Sequence, residues 1–399
     1  MFYASVFKDE TKLDINYTPA KLHHRYSQLE LLKQYFRHTI ERPGRMTQRV
    51  IVTGQVGTGK TVLAQHFGRS VLQEAQNRNI NLHYIHINCR QNKGSFFLVL
   101  QQIVERFHPT FPKRGYSAEE LLQILMQILD NENIYLITTL DELESLIQVE
   151  GSEPLYKLSR IEETRDKTSR RLSLICILRD QSWLDKLDAS TRSTLQSNII
   201  NLGPYTKEQL SDVLNDRVVL AFKQGAVSSE TITLAAELGG EEGGNARYAI
   251  ELLWRAGKYA DTEKVPEVSP EHIRKAVGSV YAVVRRDEVA ALDFHKKLFL
   301  LGIARHFQQN RDIHLPMGEA EEAYSIICEE FSEKPRGHTQ IWKYVQELAS
   351  LGVIKAELSA SGQRGKTTLI GLPRVSAAEL EKELSRALDN AGRGSNYDD

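Results

Sequence analysis

The sequence has few of the features that are typical of secreted proteins, membrane proteins or proteins with a structural zinc site. Its 399 residues include three cysteines, Cys89, Cys176 and Cys328, which lie far apart and form no Cys-x-x-Cys pair. That spacing argues against a disulfide framework or a zinc site and is typical of a reducing compartment. No apolar run approaches the length of a membrane span, and the N-terminus lacks the apolar segment of a signal peptide. We therefore predict a cytoplasmic protein without a membrane partner.

The chain also lacks an excess of either charge. Its formal net charge is −1, so a surface for nucleic acid would have to be a local basic patch. With 41% hydrophobic and 26% charged residues, the composition is that of a globular protein. A chain of this length exceeds one ordinary hydrophobic core, and we expect two or three domains.

The most informative segment is the glycine-rich loop Gly54–Thr61, which follows the apolar run Val50–Val52. It has the G-x-x-x-x-G-K-[ST] pattern of loops that bind nucleoside triphosphates. Its glycines let backbone N–H groups converge on a phosphate, Lys60 supplies a positive charge, and the Thr61 hydroxyl can bind Mg²⁺. We expect ATP or ADP with Mg²⁺ as cofactors. The expected nucleotide contacts of this segment are Gly54, Gln55, Val56, Gly57, Thr58, Gly59, Lys60, Thr61 and Val62.

An acidic pair further along the chain predicts the hydrolytic half of the same site. The β-branched run Ile134–Leu140 predicts a buried strand, and Asp141 and Glu142 follow it directly. We expect Asp141 to hold the metal through water and Glu142 to act as the general base toward the attacking water. In the helical region, Arg247 opens a helix from which it can reach the γ-phosphate and couple the nucleotide state to a domain angle.

The order of the apolar runs predicts the architecture. Strands alternate with helices as far as Pro204, which indicates a parallel sheet with helices on both faces. Helices then follow, with breaks expected at Gly225, Gly239–Gly244 and Lys264–Pro270, and three further helices precede a hairpin. The turn-rich end, Asn390–Asp399, is expected to be a disordered tail. The predicted strands are Val50–Val52, Leu82–Asn88, Ile134–Leu140, Leu172–Leu178 and Asn198–Leu202.

Together these motifs resemble the archaeal origin-recognition and cell-division-control (ORC/CDC-type) replication initiators of the AAA+ superfamily. Besides the loop and the acidic pair, three stretches are similar to this family: Tyr17–Arg25, Pro112–Ser117 and Gly244–Ala249. The resemblance implies an α/β fold in which an AAA+ P-loop parallel sheet domain precedes an α-helical lid domain and a C-terminal winged-helix domain. The implied domains are 1–204 with an initiator-specific insertion at about 107–118, 205–282, 283–375, and a C-terminal helix with the tail at 376–399.

The same resemblance implies roles for residues outside the loop. Further nucleotide contacts would come from Tyr17, Arg25, Tyr205, Arg217 and Arg247. The insertion would contact DNA through Lys113 and Arg114, and Arg192 lies where such proteins often place an arginine finger for a neighbouring subunit, with ordinary surface charge as an equal alternative. One departure stands out, since Arg179 replaces the asparagine that many members use to position the attacking water. We therefore expect slow hydrolysis.

The C-terminal region has the pattern of a DNA-binding end. The third helix, at about 338–351, would present Thr339, Gln340, Lys343 and Tyr344 to the major groove. The hairpin tip contains Arg364 and Lys366, which could enter a minor groove or lie along phosphates. The cations expected to form a local basic face are Lys334, Arg336, Lys343, Lys355, Arg364 and Lys366.

These observations predict an ATP-dependent initiator of DNA replication. It would bind duplex origin DNA, help recruit or load the replicative helicase, and work with homologous initiator subunits in the cytoplasm at the nucleoid. The alternative from another class is a regulatory or signalling switch ATPase that holds ADP tightly and uses its winged helix for protein contacts. Duplex DNA binding with steep salt dependence separates the two. A transposition or clamp-loader-type ATPase is a weaker third option.

Overall fold

The computed structural model describes residues 5–161, 170–195, 198–280, 292–359, 367–372 and 375–394. The chain divides into two compact units. The sheet unit comprises Thr18–Gln209 and Gly243–Ala246. The helical unit comprises Met1–Tyr17, Leu210–Glu242 and Arg247–Asp399.

The sheet unit is built on a five-stranded parallel sheet with strand order β2-β3-β4-β1-β5. Each strand coincides to within a residue or two with a predicted apolar run, because strands covered on both faces require continuous apolar sequence. The register pairs Asn88 with Asp141, so β2 and β3 end side by side. The strands are β1 (Arg49–Thr53), β2 (Leu82–Asn88), β3 (Tyr135–Asp141), β4 (Leu172–Leu178) and β5 (Ile199–Asn201).

Helices cover both faces of this sheet. On one face the rings of Phe36 and Phe67 pack with centroids 4.9 Å apart and planes tilted by 51°, and on the other face Leu100 and Leu125 are fully buried. The helix start predicted at Ser117 is confirmed, since Ser117 and Glu120 form a reciprocal capping box. The helices are α1 (Tyr26–Glu41), α2 (Lys60–Asn77), α3 (Phe96–Phe107), α4 (Ala118–Asn131), α5 (Glu144–Glu150), α6 (Glu153–Arg160) and α7 (Ala189–Leu195).

The first part of the helical unit is the lid, with helices α8 (Lys207–Ala221), α9 (Ser229–Glu241), α10 (Ala246–Glu263) and α11 (Pro270–Val280). The break predicted at Gly239–Gly244 is present but begins later, because α9 continues to Glu241 and the next helix starts at Ala246. Gly239 is buried in the last turn of α9, and packing there outweighs the low helix propensity of glycine.

The start of the chain packs on this lid. The Val6 amide donates to Asp261 Oδ1 at 2.7 Å, and the Phe7 and Phe222 rings lie 4.8 Å apart. Glu10 accepts a hydrogen bond from the Trp254 indole at 2.6 Å. We call residues 5–17 the N-terminal strap, since they join the lid although more than 200 residues separate them from it along the chain.

The second part of the helical unit is a winged helix. Its helices are α12 (Phe294–Gln309), α13 (Met317–Glu330), α14 (His338–Ser350) and α15 (Ala377–Gly394), and its strands are β6 (Leu315–Pro316), β7 (Lys355–Leu358) and β8 (Thr368–Gly371). The strands form an antiparallel sheet in the order β6-β8-β7, and the predicted hairpin is confirmed. α15 passes the start of the tail predicted at Asn390, because its seam of Leu380, Leu384 and Leu388 sustains the helix. Within the described ranges no helix combines the length and apolar character needed to cross a bilayer.

A buried arginine joins the lid to the winged helix. Arg274 of α11 is 1% exposed, and its guanidinium donates to the carbonyls of Leu372 at 3.1 Å and Asp312 at 3.0 Å. Its neighbour Glu271 accepts hydrogen bonds from Ser376 Oγ and the Ala377 amide, at the start of α15. These contacts make the lid and the winged helix parts of one unit.

A buried histidine in the same joint predicts a pH dependence of stability. Burial lowers the pKa of His272 from its usual 6.5, although Glu263 opposes that shift. The unfolded chain therefore takes up this proton more readily, so stability is complete above pH 6.5 and falls as the pH drops through the folded-state pKa. We expect His272→Asn to flatten the loss of unfolding free energy between pH 7.5 and 5.5 in urea titrations. The exposed His83→Asn variant should retain the wild-type slope.

Candidate functional site

The glycine-rich loop connects β1 to α2 at the carboxyl edge of the sheet. Gly59 is the residue before α2 and has φ of 91°, a left-handed conformation that favours glycine. Gly57, at φ of 79°, has no room for a side chain, since a Cβ there would lie 1.9 Å from Asn245 Oδ1. The Ala246 amide also donates to the Gly57 carbonyl at 3.2 Å. Residues 243–246, which directly precede Arg247 of the lid in sequence, therefore contact the loop and limit its movement.

The loop holds its lysine in place. Lys60 Nζ donates to the carbonyls of Gly54 and, at 2.8 Å, Gln55. Burial lowers the pKa of Lys60, and the nearby carboxylates of Asp141 and Glu144 oppose that shift. The ammonium group of Lys60 thus lies against the loop backbone, and its N–H groups could donate hydrogen bonds to a bound phosphate.

The carboxylate of Asp141 is fixed on three sides. Its Oδ2 accepts a hydrogen bond from Thr61 Oγ1 at 2.7 Å and lies 3.1 Å from His86 Nε2, while Oδ1 accepts the Glu142 amide at 2.8 Å. Burial alone would raise the pKa of Asp141, but the contacts with His86 and Thr61 outweigh it and lower that pKa. Thr61 and Asp141 together offer the oxygen ligands that Mg²⁺ prefers.

Two features of this site lie outside the sequence prediction. Glu142 has φ of 50°, the left-handed region that residues other than glycine enter at a cost and that recurs at functional sites. His86 of β2 contacts Asp141 of β3, and nothing in its local sequence singles it out. Only the pairing register of the two strands brings these side chains together.

The other predicted nucleotide residues form two pairs. In the sheet unit the buried Arg25 donates to the carbonyls of Thr58 at 3.1 Å and Gly203 at 2.6 Å, and its guanidinium lies 3.9 Å from the Tyr205 ring centroid. In the helical unit Arg217 lies 4.7 Å from the ring centroid of Tyr17 and donates to that residue's carbonyl at 3.4 Å.

The remaining arginine and lysine candidates lie on the surface. Arg247 is exposed in the first turn of α10, one residue after the segment that braces the loop. The Nη1 atom of Arg192 lies 3.2 Å from Oδ1 of Asp185. Lys113 and Arg114 are exposed between α3 and α4, and Lys113 lies 3.9 Å from Glu105.

The winged helix presents part of the predicted DNA surface. Thr339, Gln340 and Lys343 are all exposed along the first turns of α14, whereas Tyr344 is buried in the core of the winged helix and cannot face DNA. Lys355 differs from the prediction, since its amine lies 2.6 Å from both Glu241 of the lid and Glu357, which leaves little net charge for a basic face. Arg364 and Lys366 lie outside the described residues.

Comparison with known proteins agrees with this architecture. Residues 45–181 match the model of an AAA domain, residues 211–278 that of a Cdc6 AAA+ ATPase-type lid domain, and residues 287–382 that of the CDC6 C-terminal winged helix domain. The loop, the acidic pair and these three domains define an AAA+ protein of the ATPase class with a C-terminal winged helix. Members of this class bind nucleotide.

The chain belongs to the ORC1-type DNA replication proteins. It is 35% identical over 376 residues to the ORC1-type DNA replication protein 2 of Sulfolobus acidocaldarius, covering 92% of this chain and 90% of the relative. It is 30% identical over 371 residues to the ORC1-type protein of Thermococcus kodakarensis, covering 92% and 88%. This membership gives the protein a role in the initiation of DNA replication.

Solved structures support the same family. The crystal structure of Cdc6p from Pyrobaculum aerophilum matches with a TM-score of 0.82 and 27% identity, covering 97% of this chain and all of that one. The Aeropyrum pernix ORC1 protein in complex with DNA matches with a TM-score of 0.64 and 25% identity, covering 98% and 99%. The predicted fold and family are thus confirmed.

Proposed function

We propose that this protein is an ATP-dependent initiator that binds duplex origin DNA and helps recruit or load the replicative helicase. The observation that supports this most is the winged helix, whose α14 exposes Thr339, Gln340 and Lys343. Short polar side chains with a cation at the start of such a helix suit base edges and phosphates. The related Aeropyrum pernix ORC1 protein, solved in complex with DNA, supports the same use of this fold.

The nucleotide is ATP or ADP with Mg²⁺, held by the loop. Lys60 and the loop amides would bind the phosphates, and Thr61 and Asp141 would hold the metal. Mg²⁺ would supply positive charge against the charge that develops on the phosphates. Glu142 would take a proton from the attacking water. A related Aeropyrum pernix protein, ORC2, has been solved in ADPNP-ADP complexes.

The nucleotide state would change the arrangement of the sheet unit and the helical unit. Arg247 belongs to the helical unit, whereas the four residues before it belong to the sheet unit and brace the loop. Contact of Arg247 with a γ-phosphate would make the lid respond to the nucleotide state. Because Arg274 joins the lid to the winged helix, a movement of the lid would carry α14 with it.

Replacement of Lys343 tests the DNA surface. Lys343→Ala should weaken duplex DNA binding and reduce the slope of log affinity against log salt by about one, as expected when one phosphate contact is lost. The measurement is a filter-binding or anisotropy titration over several salt concentrations. Arg364→Ala should behave in the same way. Lys355→Ala is the matched control, because Lys355 is neutralised by Glu241 and Glu357, and it should leave the slope unchanged.

Two outcomes would contradict the proposal. Wild-type slopes in both Lys343→Ala and Arg364→Ala would contradict the assigned surface. Absence of any salt-dependent DNA binding by the wild type would favour the regulatory switch ATPase. The further partners that we propose are the replicative helicase and homologous initiator subunits. Arg192 could act as an arginine finger toward such a subunit. We propose that this takes place in the cytoplasm at the nucleoid.

A further inference from the structure

An ion pair beside the phosphate loop has no role in the function proposed above. Arg179 directly follows β4, and its Nε lies 2.9 Å from Oε1 of Glu144. The strand order places the end of β4 between that of β3, which bears Asp141, and that of β1, which leads into the loop. In parallel sheets, ligands bind outside the carboxyl ends of the strands. Arg179 therefore leaves the sheet between the acidic pair and the loop.

Glu144 is a buried carboxylate with little support. Its side chain is 9% exposed, and among the described residues Arg179 is the cation that pairs with it. Burial raises the pKa of Glu144, and its own backbone amide and then Arg179 oppose that shift most. A buried carboxylate is costly to leave without a cation, so Glu144 favours the position of Arg179 beside it.

The guanidinium of Arg179 has N–H donors beyond the one that faces Glu144. Its side chain is 47% exposed, and a guanidinium has five N–H donors in a planar fork that matches phosphate oxygens. The register pairs Leu178 of β4 with Thr53 of β1, so Arg179 and the start of the loop leave neighbouring strands at the same edge of the sheet. The outermost phosphate of a triphosphate bound by the loop would add negative charge at this edge.

We propose that Arg179 binds the terminal phosphate of ATP and that Glu144 competes with this phosphate for the guanidinium. With ADP, Arg179 stays on Glu144, because the group that would attract it is missing. The pair thereby sets the preference of the site for ATP over ADP. This inference rests on nucleotide binding at the loop, which belongs to the proposed function, and is independent of DNA binding.

Binding of two nucleotides to the full-length chain tests the competition. The affinities of ADP and of a non-hydrolysable ATP analogue, each with Mg²⁺, are measured by calorimetry for wild type, Arg179→Ala, Glu144→Gln and the double variant. Arg179→Ala should weaken the analogue about tenfold or more and leave ADP within about twofold, the size expected for a charge-assisted hydrogen bond. Glu144→Gln should tighten the analogue, and it should do nothing in the Arg179→Ala background.

The controls separate this effect from general damage. Unchanged ADP affinity shows that a variant is folded, and Arg179→Lys, which keeps the charge without the fork, should fall between wild type and Arg179→Ala. Arg78→Ala removes an arginine paired with Glu74 at the far end of α2 and should change neither affinity.

Three results would overturn the inference. They are equal weakening of both nucleotides by Arg179→Ala, an unchanged analogue affinity in that variant, and the same Glu144→Gln effect with and without Arg179. Failure of the wild type to bind DNA would overturn the proposed initiator function alone.

Discussion

Lys60→Ala is expected to lose nucleotide binding while the protein remains folded. Lys60 Nζ is held by the Gly54 and Gln55 carbonyls at the mouth of the loop, where a phosphate would take over its donors. Loss of two charge-assisted hydrogen bonds should weaken both ADP and ATP analogue at least about 100-fold. Calorimetry measures this, and circular dichroism checks the fold.

Lys33→Ala is the matched control for that experiment. Lys33 lies on α1 of the same unit and pairs with Glu30 at 2.9 Å on the surface. Its removal should leave both affinities at the wild-type value, since exposed pairs contribute little. A Lys60→Ala protein that binds ADP as tightly as the Lys33→Ala protein would show that the loop is not the nucleotide site.

Arg274→Met is expected to destabilise the helical unit by about 3–5 kcal/mol. It would leave the Leu372 and Asp312 carbonyls without their donor and Glu271, 3.6 Å away, without its cation. Urea unfolding followed by tryptophan fluorescence measures the loss. The sequence has three tryptophans, and two of them, Trp254 and Trp342, belong to the helical unit. In a Trp183→Phe background the fluorescence therefore reports on the helical unit alone.

Arg311→Met provides the comparison for the buried arginine. Arg311 lies 2.7 Å from Glu267 and also connects the winged helix to the lid, but its side chain is 64% exposed. We expect a loss of at most about 1 kcal/mol. Equal losses in the two variants would mean that burial of Arg274 does not matter.

Much of the sheet unit could be predicted from the sequence because its signals are local. A parallel strand covered on both faces must be apolar throughout, and Leu172–Leu178 meets that requirement. The Ser117 cap and the loop at Gly54–Thr61 are likewise short patterns with one physical explanation. Gly239 marks the limit of such signals, because only tertiary packing shows that the helix continues past it.

Contacts between distant segments could not be predicted in this way. His86 meets Asp141 through strand register, and Lys355 meets Glu241 across the joint of lid and winged helix. In sequence, Lys355 was indistinguishable from the exposed Lys343. The motif at Asp141-Glu142 likewise gives no sign that Glu144, two residues later, pairs with Arg179. Composition and spacing define which groups are present, whereas topology decides which of them neutralise one another.

The N-terminal strap has a consequence for synthesis of the protein on the ribosome. Ser5 is synthesised before its hydrogen-bond partner Asp261, which lies 256 positions later. At about 5–20 residues per second, that interval lasts roughly 13–50 seconds. During it the apolar Val6 and Phe7, buried in the finished protein, must stay in solvent or in temporary contacts. The strap can therefore reach its final place on the lid only after the chain up to Asp261 has been synthesised.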